Sequence, residues 1–227
     1  MVIVSWHRIC KPYDEGGLGI RSMTTFNEAT NLKLGWDMLN SNEPWAPSLK
    51  SKAIRNRKPI SHHIFSSIWS SVKNDYSRIL ENSTWLLGTG ENINFWFDFW
   101  CGEPFANRLN LPENAASHLT SNVKDFIMDY NWCIPPSVQL IFPHLNQILM
   151  QATIPKVRIE DRLVWKDSST DCLTLKEAYI HKSIPGNNIH WANKTWSPYI
   201  PPSKSLLAWR IMHDRMSTDE KLMEKGS

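Results

Sequence analysis

Aromatic and other apolar side chains cluster between Trp85 and Gly102, on both sides of the polar, glycine-containing segment Gly88–Asn92. Apolar runs that flank a short segment with glycines are typical of a β-hairpin, because glycine accepts the positive φ angles of tight turns. A buried aromatic side chain removes about 150–250 Å² from water. We therefore predict a tryptophan-rich hairpin from Trp85 to Trp100, with Trp96 and Trp100 buried and neighbouring helices packed around it.

Apolar residues recur elsewhere at the three- and four-residue spacing of amphipathic helices. The four longer stretches with this spacing are Thr25–Leu39, Ser61–Leu80, Pro135–Met150 and Ser203–Met216. Shorter helices are predicted at Val123–Tyr130, at Leu175–His181 and after Thr218. Two of these helices begin with the spacing of a capping box, Thr25 with Glu28 and Thr174 with Glu177.

A second strand, turn and strand unit is predicted near the C-terminal end. Its first arm is Asp161–Trp165, its turn covers residues 166–171, and its second arm is Cys172–Thr174. Gly16, Gly17 and Gly19 predict a further tight turn. The expected fold class is therefore α+β, mainly helical with two short β-hairpins.

Charge adds one candidate binding site to this picture. The chain of 227 residues has a formal net charge of only +3, which permits contact with nucleic acid without requiring it. Basic residues gather between Lys50 and Lys58, and we predict that Arg55, Arg57 and Lys58 contact phosphates. The alternative is an exposed basic loop that binds nothing. Any binding to RNA or DNA is expected to be weak and non-specific.

The cysteines predict neither a metal site nor a secreted protein. Cys10, Cys101, Cys133 and Cys172 form no Cys-x-x-Cys pair and match no zinc spacing. Scattered thiols of this kind are typical of intracellular proteins, and neither a signal peptide nor a membrane-spanning run is evident. We expect a protein of the nucleus or cytosol that requires no cofactor, contacts no membrane and takes no small-molecule substrate.

The acidic residues do not predict a catalytic centre. Asp98, Asp125, Asp129, Glu160 and Asp161 are scattered along the chain, whereas a catalytic metal needs convergent carboxylates. No Gly-x-Ser-x-Gly nucleophile motif occurs. The glycines of the 88–92 segment fit a hairpin turn better than a nucleotide-binding loop. The tryptophans could stack nucleobases, although at this density most of them are expected in the core.

Five motifs are distributed over nearly the whole chain. They are Trp6-x-x-Ile-Cys-x-Pro-x-x-Glu-Gly-Gly-Leu-Gly-Ile20, Ser67-Ile-Trp69, Trp85-x-x-Gly-x-Gly-x-x-Ile-x-Phe-Trp-x-Asp-x-Trp100, Asp161-Arg-Leu-Val-Trp165, and Trp196-x-x-x-Ile-Pro-Pro-Ser-Lys204 with Trp209-Arg210. Together, and in this order, they resemble the region downstream of the polymerase in plant LINE-type (non-LTR) retrotransposon reverse transcriptases.

The resemblance implies two regions. Residues 1–160 resemble a post-polymerase connecting region that contains the tryptophan-rich hairpin. Residues 161–227 resemble the N-terminal part of a reverse-transcriptase zinc-binding domain without its Cys/His ligands, which in the family follow the position of Gly226. The family's polymerase Asp-Asp pair and ribonuclease H motifs are also absent here. The chain is therefore expected to be a fragment of a larger polyprotein.

Two functions are compatible with these observations. The first is a non-catalytic fragment of a reverse-transcriptase (RNA-directed DNA polymerase) polyprotein that assists in holding RNA or DNA. The second is an inactive structural remnant of a decayed transposable element. Salt-dependent binding to nucleic acid would distinguish them. On either interpretation the chain is not expected to be an enzyme.

Overall fold

A computed structural model describes residues 4–55, 58–61, 64–111 and 118–215 of the chain. Its α-helices are α1 (Trp6–Ile9), α2 (Met23–Asn40), α3 (Trp45–Ala53), α4 (Ser67–Val72), α5 (Tyr76–Glu81), α6 (Phe105–Arg108), α7 (Pro136–Ile141), α8 (Leu145–Leu149), α9 (Leu175–Lys182), α10 (Ala192–Thr195) and α11 (Pro202–Met212). Its strands are β1 (Ile54–Arg55), β2 (Lys58–Pro59), β3 (Ser83–Leu86), β4 (Ile127–Met128), β5 (Asn131–Trp132) and β6 (Arg162–Trp165). The predicted class, α+β and mainly helical, is confirmed.

The chain divides into two compact units. One unit comprises Met1–Thr30 and Tyr179–Ser227, and the other comprises Asn31–Ala178. We call them the terminal unit and the central unit. None of the helices in the described ranges is long and apolar enough to cross a lipid bilayer.

The strand pairing differs from the predicted hairpins. β3 pairs antiparallel with β6, so that Trp85 lies opposite Leu163 and Leu86 lies opposite Arg162. The first arms of the two predicted hairpins thus pair with each other. Within the described ranges, the antiparallel pairs between strands that follow each other in the chain are β1–β2 and β4–β5, each with two residues per strand. Short hairpins were predicted and are present, but the predicted positions at Trp85–Trp100 and Asp161–Thr174 were wrong.

Local side-chain hydrogen bonds explain why the aromatic arm does not fold back as a strand. The Asn94 side-chain oxygen accepts hydrogen bonds from the backbone N–H groups of Trp96 and Phe97, at 2.9 and 3.0 Å. Asp98 accepts a bond from the backbone N–H of Asn94 at 2.8 Å. Such bonds offer the backbone an alternative to a sheet ladder, so this segment coils into turns. Two bonds join it to β3, because the Phe99 carbonyl accepts the Trp85 N–H at 2.6 Å and the Thr84 hydroxyl at 3.0 Å.

The coiled aromatic segment nevertheless forms the main core of the central unit. Trp96 and Trp100 are 3% and 8% exposed, which confirms their predicted burial. The buried members of this core are Ile93, Phe95, Trp96, Trp100, Phe105, Val123, Phe126, Ile134, Leu145 and Leu149. Phe95 lies at its centre, in ring contact with Trp96, Trp100, Phe105 and Phe126.

Two of the predicted helices are present but begin at other residues than predicted. α2 begins at Met23, before the predicted Thr25, and the Ser22 hydroxyl accepts the Thr25 N–H at 3.3 Å. The predicted helix from Ser61 begins at Ser67, where the Ser66 hydroxyl accepts the Trp69 N–H at 3.2 Å. A serine at these positions satisfies an N–H group that has no partner within the helix.

Further along the chain, three other helix predictions change in extent. The predicted helix Pro135–Met150 is two helices, α7 and α8, and Pro143 lies between them. The helix predicted at Val123–Tyr130 is a 3₁₀ turn, Val123–Phe126, that leads into β4. α11 ends at Met212 rather than at Met216, which lies outside the described residues, as does the helix predicted after Thr218.

The terminal unit contains the predicted glycine turn. Gly17 N–H donates to the Pro12 carbonyl and Gly19 N–H to the Lys11 carbonyl, both at 2.9 Å. The Gly16 carbonyl in turn accepts the Trp209 indole N–H at 2.6 Å and contacts the His213 ring nitrogen at 2.8 Å. The turn therefore holds the buried Trp209 side chain of α11 through backbone atoms.

Candidate nucleic-acid interface

Two of the three predicted phosphate-binding residues lie opposite each other on a hairpin. β1 and β2 are antiparallel, and their register pairs Arg55 with Lys58 and Ile54 with Pro59. Directly opposed residues of an antiparallel pair project from the same face, with Cβ atoms about 4.5–5.5 Å apart. The fold thus brings Arg55 and Lys58 together, whereas Arg57 lies outside the described residues.

This pair of cations is exposed. Both residues are open to solvent, and the side chain of neither Arg55 nor Lys58 has a hydrogen bond or ion pair to another described residue. Like charges directly opposite each other on a sheet are destabilising by themselves. A phosphate group bound between the two side chains would relieve that repulsion.

A groove of about 1040 Å³ borders this hairpin in the central unit. Ile54 of β1 and Lys58 of β2 both line it. The other described residues that line it include the aromatic Trp36, Tyr76, Trp85 and Phe97, the amides Asn40, Asn42, Asn92, Asn94 and Asn107, and the charged Lys50, Asp98, Glu160, Asp161, Arg162 and Asp171. Sequence reasoning did not identify this groove, because its walls come from segments far apart in the chain.

The β3–β6 ribbon supplies one wall. Trp85 and Leu163 are opposed across the ribbon and both line the groove, and each is half-buried. Trp85 and Phe97 also pack against the main aromatic core. Their rings are therefore held in place from one side, while part of each ring remains accessible from the groove.

Acidic side chains of the groove are largely occupied by bonds within the protein. The Asp161 carboxylate accepts the backbone N–H groups of Gly88, Gly90 and Asn92, at 2.8, 2.8 and 2.9 Å. Asp98 accepts the Asn94 N–H, and Asp171 forms an ion pair with Arg162 at 3.2 Å. These carboxylates act as structural hydrogen-bond acceptors.

The glycines of the 88–92 loop permit this arrangement. Gly90 has a φ of +72°, a conformation that L side chains rarely adopt. A Cβ atom on Gly88 would lie 2.2 Å from the Ile159 carbonyl oxygen. The loop is not the predicted hairpin turn; it wraps around the carboxylate of Asp161, and its N–H groups bind that internal anion.

The carboxylates considered for catalysis do not converge within the described ranges. No group of three or more His, Cys, Asp or Glu side chains that could hold a metal occurs in the described part of the chain. Asp125 accepts the backbone N–H of Asn122 at 2.8 Å. All four cysteines are free, and burial raises the pKa of the Cys101 thiol, with a smaller opposing effect of Arg108. A thiol with a raised pKa remains protonated and is a poor nucleophile.

Comparison with known proteins gives one plant relative. An Arabidopsis thaliana protein with the provisional name of a ribonuclease H protein is 27% identical to this chain over 233 residues. The match covers 96% of this chain and 37% of the relative, so the chain spans little more than a third of that protein. No protein-family model matches the chain, and no solved structure matches it. The similarity covers both units.

Proposed function

We propose that this chain is a non-catalytic, nucleic-acid-contacting part of a plant LINE-type retrotransposon reverse-transcriptase polyprotein. The observation that carries the proposal is the exposed cross-strand pair of Arg55 and Lys58 beside the groove. The name of the Arabidopsis relative supports a protein family that acts on nucleic acid. The ordered motifs of the sequence favour the retrotransposon assignment over other families.

The proposal that the chain is non-catalytic is supported by the hydrogen bonds of its carboxylates. Asp98, Asp125 and Asp161 each accept backbone N–H groups, and so their positions are explained by the fold. The proposed role is to hold RNA or DNA while other parts of the polyprotein act on it. In the same proposal, residues 1–160 are the connecting region and residues 161–227 are the first part of a zinc-binding-like domain.

Salt-dependent binding tests the proposal. The full chain is titrated with fluorescent single-stranded and duplex oligonucleotides between about 20 and 200 mM salt. Each phosphate neutralised by a side chain adds about 0.7–0.9 to the slope of log K against log salt. Replacing Arg55 and Lys58 together by alanine is expected to flatten the slope by about 1.4–1.8 and to weaken binding.

A matched variant separates the hairpin from overall charge. Lys73 and Lys156 are exposed and do not line the groove. K73A/K156A removes the same number of positive charges and should leave most of the slope intact. Equal slopes for the two double variants would assign binding to net charge alone. No binding by the wild-type chain at the lowest salt would favour the inactive structural remnant and overturn the proposal.

A further inference from the structure

We infer that the groove of the central unit binds unpaired nucleobases, so that the ligand of this chain is single-stranded RNA or DNA rather than a duplex. The inference rests on the proposed function and names its ligand class. It follows from the contrast between the cationic hairpin at the edge of the groove and the mixed charges, aromatic rings and amides that line it.

The charge inside the groove disfavours phosphates there. Its ionisable lining residues are three basic and four acidic side chains: Lys50, Lys58, Arg162, Asp98, Glu160, Asp161 and Asp171. Arg162 is paired with Asp171, which leaves little positive charge within the groove itself. A nucleic-acid backbone should therefore follow Arg55 and Lys58 at the hairpin and remain outside the groove.

Nucleobases suit the groove better than phosphates because they are uncharged, flat and bordered by hydrogen-bonding edges. Trp85 and Phe97 line the groove with half-buried rings whose remaining surface packs on the main core. Aromatic rings fixed in this way are stacking platforms, and stacking of a base on such a ring tolerates any sequence.

Amide side chains add groups that can meet base edges. Asn42 and Asn107 are exposed, line the groove and have no described side-chain hydrogen bond. The Asn40 side chain donates to the Trp36 carbonyl at 3.0 Å, which leaves its oxygen available as an acceptor. An amide offers both donor and acceptor, as base edges do.

The partial burial of the Trp85 and Phe97 rings selects against a duplex. In a duplex the faces of the bases are stacked on one another and cannot reach recessed rings, whereas unpaired bases can turn outwards and stack on protein aromatics. The volume of about 1040 Å³ lies at the upper end of ordinary small-molecule pockets, so more than one base has room.

The experiment compares a 12-nucleotide single strand containing 5-iodouracil with the duplex of the same sequence. The wild-type chain should bind the single strand at least about tenfold more tightly. W85L/F97L keeps apolar packing against the core but removes both rings, and should lower single-strand affinity at least about tenfold with an unchanged salt slope. The matched control Y130L/Y199L removes two exposed rings that do not line the groove and should bind as wild type does.

Photo-crosslinking provides a measurement that needs no variant. Irradiated complexes of the wild-type chain should carry the nucleotide on peptides that contain Trp85 or Phe97. Crosslinks confined to other peptides, equal affinity for duplex and single strand, or a W85L/F97L variant that binds like the control would each overturn the inference. In those cases, a salt slope that still depends on Arg55 and Lys58 would continue to support the proposed function. Absence of any binding by the wild-type chain would contradict both the proposed function and this inference.

Discussion

The carboxylate of Asp161 accepts the backbone N–H of Gly88 at 2.8 Å, across 73 positions of sequence. The same oxygen accepts the N–H of Gly90, and the other carboxylate oxygen accepts that of Asn92. One side chain at the start of β6 thus determines the path of the loop that follows β3. Because β3 and β6 are paired, these bonds also fix the end of the ribbon that forms one wall of the groove.

Removal of the Asp161 carboxylate should destabilise the chain. Hydrogen bonds to a charged acceptor contribute about 1.5–3 kcal/mol each, and water can partly replace the exposed one. We expect D161A to lower the free energy of unfolding by about 3–6 kcal/mol, from the two part-buried bonds. D161N should cost less, because its amide oxygen can still accept the bonds of Gly88 and Gly90. Urea denaturation monitored by circular dichroism measures both, and exposed Glu160, replaced by alanine, is the control that should remain near wild type.

Replacing Trp96 or Trp100 by phenylalanine should change the stability of the chain by different amounts. The Trp100 indole N–H donates to the Phe95 carbonyl at 3.0 Å, whereas the buried Trp96 indole nitrogen has no hydrogen-bond partner in the described part of the chain. W100F leaves a buried carbonyl without its donor, at an added cost of about 1–3 kcal/mol. We therefore expect W100F to lower the free energy of unfolding more than W96F does, as measured by equilibrium unfolding. Trp96→Ala should cost about 3–5 kcal/mol because it leaves a large cavity.

A disulfide can test the corrected strand pairing. Leu86 and Arg162 are opposed in the β3–β6 register, and both side chains are exposed. Opposed strand residues have Cα atoms about 4.5–5.5 Å apart, within the range that a disulfide spans. L86C/R162C should oxidise to an internal crosslink that joins these two peptides in mass spectrometry. The single variants L86C and R162C should not yield that linked peptide, and its absence from the double variant would contradict the pairing.

The capping box of α9 predicts a small pH dependence. Thr174 donates its hydroxyl and its backbone N–H to Glu177, both at 2.7 Å, and these bonds lower the pKa of that carboxyl. A lowered pKa in the folded state means that the ionised form favours folding. The contribution is complete above the ordinary glutamate pKa of about 4.3 and is lost as the pH falls through the lower folded value.

The matching variant is E177Q. It can retain the capping geometry but cannot ionise, so its stability should differ from wild type above about pH 5 and converge with it in more acidic solution. Melting temperatures measured from pH 3 to pH 7 check this, with E43Q, a change at an exposed glutamate, as control. A stability difference between E177Q and wild type that grew on acidification would contradict the expected direction of the effect.

The sequence predicted the elements whose causes are local. The spacing of Leu32 and Trp36 with their neighbours predicted the buried face of α2, and both side chains are buried. Thr174 and Glu177 predicted the start of α9, and their side chains form the expected reciprocal bonds. Helix formation depends on residues three and four apart, so the responsible groups are adjacent in the sequence. The burial of Trp96 and Trp100 was likewise predictable from their apolar surface.

Only the tertiary structure decided which strands pair and what that pairing assembles. A strand can pair with any other strand of suitable pattern, because its edge presents the same N–H and C=O groups whatever the side chains. The choice of β6 for β3 depended on the Asp161 carboxylate and on the bonds of Asn94 and Asp98 that coil the nearer candidate. The groove beside Arg55 and Lys58 follows from that choice, since its wall of Trp85 and Leu163 exists only when two strands distant in the chain meet.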